Sequence, residues 1–288
     1  MKIHAIQTGT VRVKQSQRMG QGPGPLRQLH VLFDSTWTEP LPIFAWAVET
    51  AEGVLVVDTG KTAKTREPGY FPPWHPYFRF AVRIDVKPEQ EIGPRLLEIG
   101  IRPDDVRTVI MTHLHTDHAG GLHYFPKSEI LVSDTEYRIA KGFAGRLRGY
   151  LPNRWPKWFH PKPIPLRPEP FGTFDRCFSA TRDGTVVVVP TQGHTPGHVS
   201  VIVVDDDVSY FLAGDATYTQ RALLEQKVDG VSPSKAEALR TLERILAYAR
   251  SRPTVYLPSH DPQSIERLDF STMIESPDGA QCSAARGS

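Results

Sequence analysis

The sequence predicts an α/β fold, a four-layer sandwich of two sheets with helices outside them. Three observations predict it. Runs of β-branched residues gather in two separate halves of the chain, each half also carries helical segments, and no repeat at a 20–50-residue period points to a solenoid or propeller. At 288 residues the chain can bury a sizeable core without disulfide staples. Residues 1–275 are expected to form one domain with long insertions, and the small, polar residues 276–288 a flexible tail.

In the first half, Ile43–Glu49 and Val54–Asp58 read as strands joined by the hairpin-like Thr50-Ala51-Glu52-Gly53. The prolines of Glu67–Phe80 exclude regular structure. Pro88–Ile99 reads as a helix with Ile92, Leu96 and Ile99 on one face and Gly100 as its C-cap. Val106–Met111 is a buried strand that runs into a His-rich loop. Glu129–Val132 is a short strand, and Asp134–Lys141 a short helix started by Asp134. Phe143–Phe171 is irregular, with seven prolines between Pro152 and Pro170; its Trp155, Trp158 and Phe159 favour order over disorder.

The second half returns to strands at Thr185–Thr191, Val199–Val204 and Val208–Ala213. Ser234–Arg250 is the clearest helix. Ser234 and Glu237 form a capping-box pattern ahead of a stripe of Leu239, Leu242, Ile245, Leu246 and Ala249. Thr254–Leu257 is the last strand, leading into Pro258-Ser259-His260.

Composition narrows the function. A net charge of +2 lacks the basic excess of a nucleic-acid binder, so no nucleic-acid partner is expected. Two cysteines, Cys177 and Cys282, are too few for a disulfide scaffold or an all-cysteine zinc site. The opening MKIHAIQTGT has no signal-peptide apolar run, and no 18-residue apolar stretch exists to span a bilayer. A cytoplasmic protein without a membrane partner is the expectation. The unusual features are 26 prolines and the crowding of 11 histidines around a few motifs.

The strongest of these motifs is Thr112-His113-Leu114-His115-Thr116-Asp117-His118, directly after a strand. A strand would put His113, His115 and Asp117 on one side and His118 on the other. A tight loop lets the four ligands split into two groups facing two neighbouring metals. Imidazole and carboxylate without thiolate suit Zn, Fe, Mn or Co. Three further candidates follow predicted strands in the same way. His194 lies in Gly193-His194-Thr195-Pro196-Gly197-His198, Asp215 in Gly214-Asp215-Ala216, and His260 after Thr254–Leu257. Each alone is an ordinary cap or turn residue; together they place ligands at one sheet edge.

In this pattern the chain resembles the metallo-β-lactamase superfamily, whose members carry His-x-His-x-Asp-His, then a His, an Asp and a final His. The likeness runs from about Ile43 to His260 and includes Asp58-Thr59-Gly60, which is similar to the family's early Asp-Thr-Gly. The resemblance implies an αβ/βα sandwich with two divalent metal ions at its edge, zinc first and Co, Mn or Fe as alternatives. It implies His113, His115 and His194 around one metal, Asp117, His118 and His260 around the other, and Asp215 between them. Asp58 is then behind the ligands, as His198 is expected to be. Two cations about 3.5–4 Å apart can share a hydroxide and polarise a carbonyl or phosphoryl oxygen. His115 stands where oxygen-reducing di-iron relatives carry Glu, so a hydrolase is implied.

Local sequence selects among the family's hydrolases. Gly214-Asp215-Ala216-Thr217-Tyr218 resembles the segment of N-acyl-homoserine lactonases whose Tyr meets the substrate carbonyl. Glyoxalase-II-type thioesterases read differently there and carry a longer C-terminal region; nucleases add basic domains; the related lactamases lack the bridging Asp. The implied function is opening of the lactone ring by the shared hydroxide (quorum quenching), with Tyr218 stabilising the oxyanion and Asp117 protonating the leaving oxygen. The alternative is a phosphotriester or other carboxylic-ester hydrolase. Met19, Trp37, Phe44 and Trp46 are candidate substrate contacts, as are the two Pro/aromatic stretches. Lactonases with an insertion after the His motif often dimerise, so a homodimer is expected.

Overall fold

The computed structural model describes residues 1–21 and 26–274; the expected tail at 276–288 lies outside the described residues. The chain begins with a twelve-residue strand, β1 (Lys2–Val13), which sequence periodicity did not indicate. Two short helices follow, α1 (Gln15–Met19) and α2 (Arg27–Phe33), and neither has a side-chain N-cap bond. The expected hairpin is β2 (Leu41–Thr50) and β3 (Gly53–Val57). The first Pro/aromatic stretch contains a helical turn and a half, α3 (Pro76–Phe80), begun by a proline at the position where the missing N–H costs nothing. It leads into β4 (Val82–Asp85).

The expected helix over Pro88–Ile99 is split: a 3₁₀ turn at Pro88–Gln90 precedes α4 (Ile92–Glu98), and Gly100 follows at φ +81°. Next come β5 (Val106–Ile110), β6 (Glu129–Val132) and α5 (Asp134–Lys141). Ser133, not Asp134, caps α5, its hydroxyl accepting from the Glu136 N–H. The second irregular stretch holds α6 (Phe143–Leu147) and the two-residue β7 (Lys162–Pro163). The second half comprises β8 (Phe178–Ser179), β9 (Val186–Pro190), β10 (Val199–Asp205), β11 (Val208–Gly214) and α7 (Gln220–Leu224). It closes with α8 (Lys235–Ser251), β12 (Thr254–Pro258) and α9 (Ser264–Asp269). Ser234 caps α8 as the capping pattern requires, accepting from Glu237 N at 3.2 Å.

The strands form two sheets, ordered β4-β1-β2-β3-β5-β6-β7 and β12-β11-β10-β9-β8. In the first, β3, β5, β6 and β7 run parallel, whereas β1 pairs antiparallel with β2 and β4. Period-two alternation makes this a four-layer sandwich. Phe44, Trp46 and Val48 of β2 point at Val188, Val201 and Leu212 of the other sheet. The intervening Ala45 and Ala47 face outward onto α4, through Ile92 and Leu96. On the far side, Val187, Ile202 and Phe211 meet Leu242 and Ile245 of α8. The predicted fold class is the observed one. Among the described residues no helix is long and apolar enough to cross a membrane.

Strand parity also corrects two expectations. Phe44 and Trp46 are each only 1 % exposed, packed between the sheets where no substrate reaches. Truncating an aromatic side chain in such a position typically costs about 3–5 kcal/mol, so their contribution is to stability.

Candidate active site

The parallel strands end at one edge of the sandwich, and the polar motifs follow those ends. Backbone hydrogen bonds stitch the turns together: Asp58 N donates to Ile110 O at 2.9 Å, Thr59 N to His118 O at 2.7 Å, and Val199 N to Thr112 O at 3.0 Å. Phe44 N to Ser259 O at 2.9 Å joins the two halves of the chain.

At this edge the structure brings all seven predicted ligand residues together. Potential ligand atoms of His113, His115 and His194 lie within 4.8 Å of one another, as do those of Asp117, His118 and His260. Asp215 faces both groups. Its Oδ2 is 3.4 Å from His194 Nε2 and 3.9 Å from His113 Nε2, and its Oδ1 is 3.3 Å from His118 Nε2 and 3.4 Å from His260 Nε2.

Second hydrogen bonds aim the imidazoles. His118 Nδ1 donates to Asp58 Oδ2 at 2.8 Å, His194 Nδ1 to Asp229 Oδ2 at 3.1 Å, and His260 Nδ1 to the Pro42 carbonyl at 2.7 Å. Thr112 Oγ1 donates to Asp58 at 2.7 Å, which leaves it to accept from His113 Nδ1 at 3.1 Å. Each of these four rings thereby keeps a proton on Nδ1 and directs Nε2, the nitrogen a metal would take, at the site. His115 is the exception and presents Nδ1, 3.0 Å from His194 Nε2. Asp58 does this from a left-handed backbone, φ +60°, a conformation kept where surrounding structure demands it.

His198 is not in either group. Its Nε2 accepts from the Asp215 N–H at 3.1 Å and its Nδ1 meets Thr191 Oγ1 at 2.9 Å, so it fixes the backbone that carries Asp215. Gly214 allows the approach: at φ +56°, a Cβ there would lie 2.8 Å from His198 Nε2 and 2.9 Å from Thr112 Oγ1.

The donor set fits divalent cations. Among the described residues His113 Nε2, His118 Nε2 and Asp215 Oδ1 are buried without hydrogen-bond partners, which is costly unless something else satisfies them. Charge points the same way. Although burial opposes it, His260 and His118 hold Asp215 well below the carboxylate range. Burial, with repulsion from His118, presses His113 well below an ordinary imidazole, and burial with His194 presses His115 to about 3. Against burial, carboxylates hold three rings high: Asp215 and Asp58 act on His118, Asp229 brings His194 to about 9, and Asp215 raises His260. The carboxylates thus demand positive charge at the points where the Nε2 atoms converge.

A pocket of about 300 Å³ opens onto this centre. Asp117, His115, His194, Asp215 and Tyr218 form its floor. Its walls include the apolar Leu29, Val31 and Leu32 of α2, Pro76–Phe78 of α3, Leu147 of α6 and Tyr150 beyond it, with Arg148 beside them. The first Pro/aromatic stretch therefore does line the pocket. Of the second irregular segment only its beginning does; Trp155 and Phe159 instead pack on Tyr137 of α5, at ring-centroid distances of 6.0 Å.

Tyr218 is 3 % exposed, stacks on His260 at 5.4 Å, and accepts from Gln17 Nε2 at 2.7 Å. The other substrate candidates lie elsewhere. Trp37 is covered by Lys14, whose Nζ sits 3.8 Å from its ring centroid, and by Arg83. Met19 is half-buried on α1, and Gln17 rather than Met19 reaches the pocket. Phe44 and Trp46 are the core residues described above.

Four residues gained importance only from the fold. Asp229 and Gln17 have been named. Glu136, fully buried, accepts from Leu114 N at 3.0 Å, Thr195 Oγ1 at 2.7 Å and Tyr150 Oη at 2.8 Å, tying two ligand loops to the pocket wall. Tyr77 accepts from Gln17 Nε2 at 3.0 Å. Asp229 stands alone between Val228 and Gly230, and nothing in sequence links it to residue 194.

An αβ/βα sandwich with His/Asp groups converging at one edge defines a metallo-hydrolase. The chain belongs to the metallo-beta-lactamase superfamily, which it matches over residues 38–260. It is 26% identical over 276 residues to the N-acyl homoserine lactonase AttM of Rhizobium radiobacter, covering 92% of this chain and 94% of that protein. It is 32% identical over 210 residues to the probable metallo-hydrolase Rv2300c of Mycobacterium tuberculosis, covering 71% of this chain and 64% of that one. Among solved structures, it superposes on an N-acyl homoserine lactone hydrolase with the product N-hexanoyl-L-homoserine at its catalytic metal centre. The TM-score is 0.75 at 23% identity, with 92% and 95% of the two chains covered.

Proposed function

We propose that this hydrolase opens the lactone ring of N-acyl homoserine lactones, using two divalent cations, zinc foremost, held by His113, His115 and His194 and by Asp117, His118 and His260, with Asp215 between. The observation that carries the reading is Tyr218: a buried phenol on the pocket floor beside Asp215, below an apolar channel suited to an acyl chain. The similarity to lactonases along almost the whole chain supports it.

Two cations in these groups would supply a deprotonated water at neutral pH and polarise the ester carbonyl. The protein's own groups do the rest. Burial, reinforced by Tyr77 and Asp215, raises the Tyr218 phenol well above its ordinary value, so it stays protonated and donates to the carbonyl oxygen as negative charge develops there. Asp117 is held ionised by His118 and His260 against its burial. It can take the proton that remains on the added oxygen and deliver it to the ring oxygen as the carbon–oxygen bond breaks, leaving a carboxylate and an alcohol. The net change is addition of one water across the ester.

The test is turnover of the metal-loaded protein on short- and long-chain homoserine lactones, beside paraoxon, a thioester and a β-lactam. Lactones should be preferred, and Tyr218→Phe should lower their turnover by about 10²–10³. Preference for paraoxon, or a Tyr218→Phe variant as active as the parent on lactones, would displace the lactonase reading.

A homodimer is part of the same proposal. The helices that line the pocket mouth also carry exposed aromatic side chains, Phe33 on α2, Phe80 on α3 and Phe143 on α6. Light scattering at micromolar concentration should give twice the chain mass; a monomer would reject this.

A further inference from the structure

Gln17 sits at an unusual junction. It is 2 % exposed, and its single amide nitrogen donates to both phenols, Tyr218 Oη at 2.7 Å and Tyr77 Oη at 3.0 Å. Both amide hydrogens are therefore spent, and each phenol oxygen is already an acceptor. The phenol hydrogens remain, with no acceptor among the described residues. Among the described residues the buried Gln17 Oε1 has no donor. A buried amide oxygen left in that state is costly unless a ligand satisfies it. All three residues line the pocket beside Asp117 and Asp215.

The junction thus offers two donors and one acceptor side by side on the pocket lining. The complementary ligand carries two carbonyl oxygens and one N–H within a few bonds. A lactone bearing an acylamino group next to its carbonyl has that pattern; a simple alkyl lactone lacks the N–H and the second carbonyl.

We propose that Gln17 and Tyr77 form an amide-reading subsite: Gln17 Oε1 accepts the N–H of a secondary amide, and Tyr77 donates to the amide carbonyl, while Tyr218 meets the scissile carbonyl. This rests on the lactonase reading of the same site and extends it from the ester to the group beside it. It makes Gln17 and Tyr77 specificity-determining residues, in contact with substrate but not with the breaking bond. The three arms reach the pocket from separated segments, residues 17, 77 and 218, and the Gln17 amide bonds both phenols, while Tyr218 is also held by its stacking on His260 and its packing with Val11, Leu41 and Ile43.

The test compares N-octanoyl homoserine lactone with an alkyl γ-lactone of matched length in which methylenes replace the amide. The kcat/KM ratio of the two substrates is measured for the wild type, Tyr77→Phe and Gln17→Met, with metal content and melting temperature recorded for each. Each variant should lower the ratio about tenfold, the worth of one well-made hydrogen bond, chiefly through KM. Calorimetric affinity for ring-opened N-octanoyl homoserine should fall by the same factor.

A ratio unchanged within about twofold overturns the subsite, as does an equal loss on both substrates, which would make Gln17 merely a support for Tyr218. If Gln17→Met fails to fold, Tyr77→Phe, which keeps the ring, decides alone. A wild type that opens alkyl lactones and not acylamino lactones rejects the subsite while sparing lactone hydrolysis. A metal-loaded wild type that opens neither rejects both.

Discussion

Replacing Asp229 by Asn should damage the centre more than an almost isosteric exchange suggests. Asp229 is buried and accepts from four groups. Its Oδ1 takes the Val231 and Ser232 N–H groups at 2.8 and 2.7 Å, and its Oδ2 takes Ser232 Oγ at 2.8 Å and His194 Nδ1 at 3.1 Å. An asparagine has one oxygen for two positions. Two backbone donors outweigh one imidazole, so the amide oxygen turns to Val231 and Ser232 and the NH₂ faces His194. That NH₂ donates to Nδ1, forcing the ring proton onto Nε2, the atom directed at Asp215. Exchanging an orienting Asp for Asn behind a histidine is known to leave geometry intact while imposing the wrong tautomer. Loss of such an outer partner typically costs 10–100-fold in metal affinity, about 1.4–2.7 kcal/mol. The assay is a competition titration of zinc against a chromophoric chelator, with the melting temperature of the metal-free protein as a control for folding. One of the two classes of site, the one that includes His194, should weaken by that factor. Wild-type affinity in a folded Asp229→Asn protein would refute the argument.

Two further predictions concern protons. Lys61 is 0 % exposed with an unpartnered Nζ above Phe71, and burial, opposed by Asp117, brings its ammonium down to about 7 from 10.5. Between those values the unfolded chain holds a proton that the folded one has released, so this group makes stability rise with pH across the window. Lys61→Met should therefore raise the melting temperature near pH 6.5 and lose most of that advantage by pH 9.5; parallel curves would refute it. Metal uptake should also release protons at pH 7, as many as three, one each from His118, His194 and His260, which their carboxylates keep high in the absence of metal. Affinity should then fall as pH falls. Calorimetry in buffers of different ionisation enthalpy reads the number, and zero would contradict the charge assignment.

What was legible in the sequence follows physical lines. The strands β2, β3, β5 and β9–β12 are apolar runs rich in β-branched and aromatic residues, and α8 announces itself by cap and stripe. β1 does not, because its register with β2 shifts between Gln7 and Thr10 and so interrupts the alternation that marks a strand. α1 and α2 are short and have no side-chain N-cap bond, held by packing that only the finished fold supplies. Within the site, the seven ligand candidates were visible because each sits in a polar motif directly behind a strand. Asp229, Gln17 and Tyr77 were not, since their partners are 35, 201 and 60 residues away. Phe44 and Trp46 misled for a simple reason. Aromatic type suggests a pocket wall, but the face is decided by parity with Val48, which points between the sheets.

The centre is also a seam. His113, His115, Asp117 and His118 follow the first sheet's strands, His194, Asp215 and His260 follow the second's, and His260 reaches back to the Pro42 carbonyl. This sets a clock on the protein's birth. A nascent chain that has completed the first sheet holds only four of the seven groups, in a loop with nothing opposite it. The last of them emerges with β12, after α8 has been made. On the metal reading proposed above, both groups are complete only once β12 has been made, and a bound ion would then join segments that were synthesised apart.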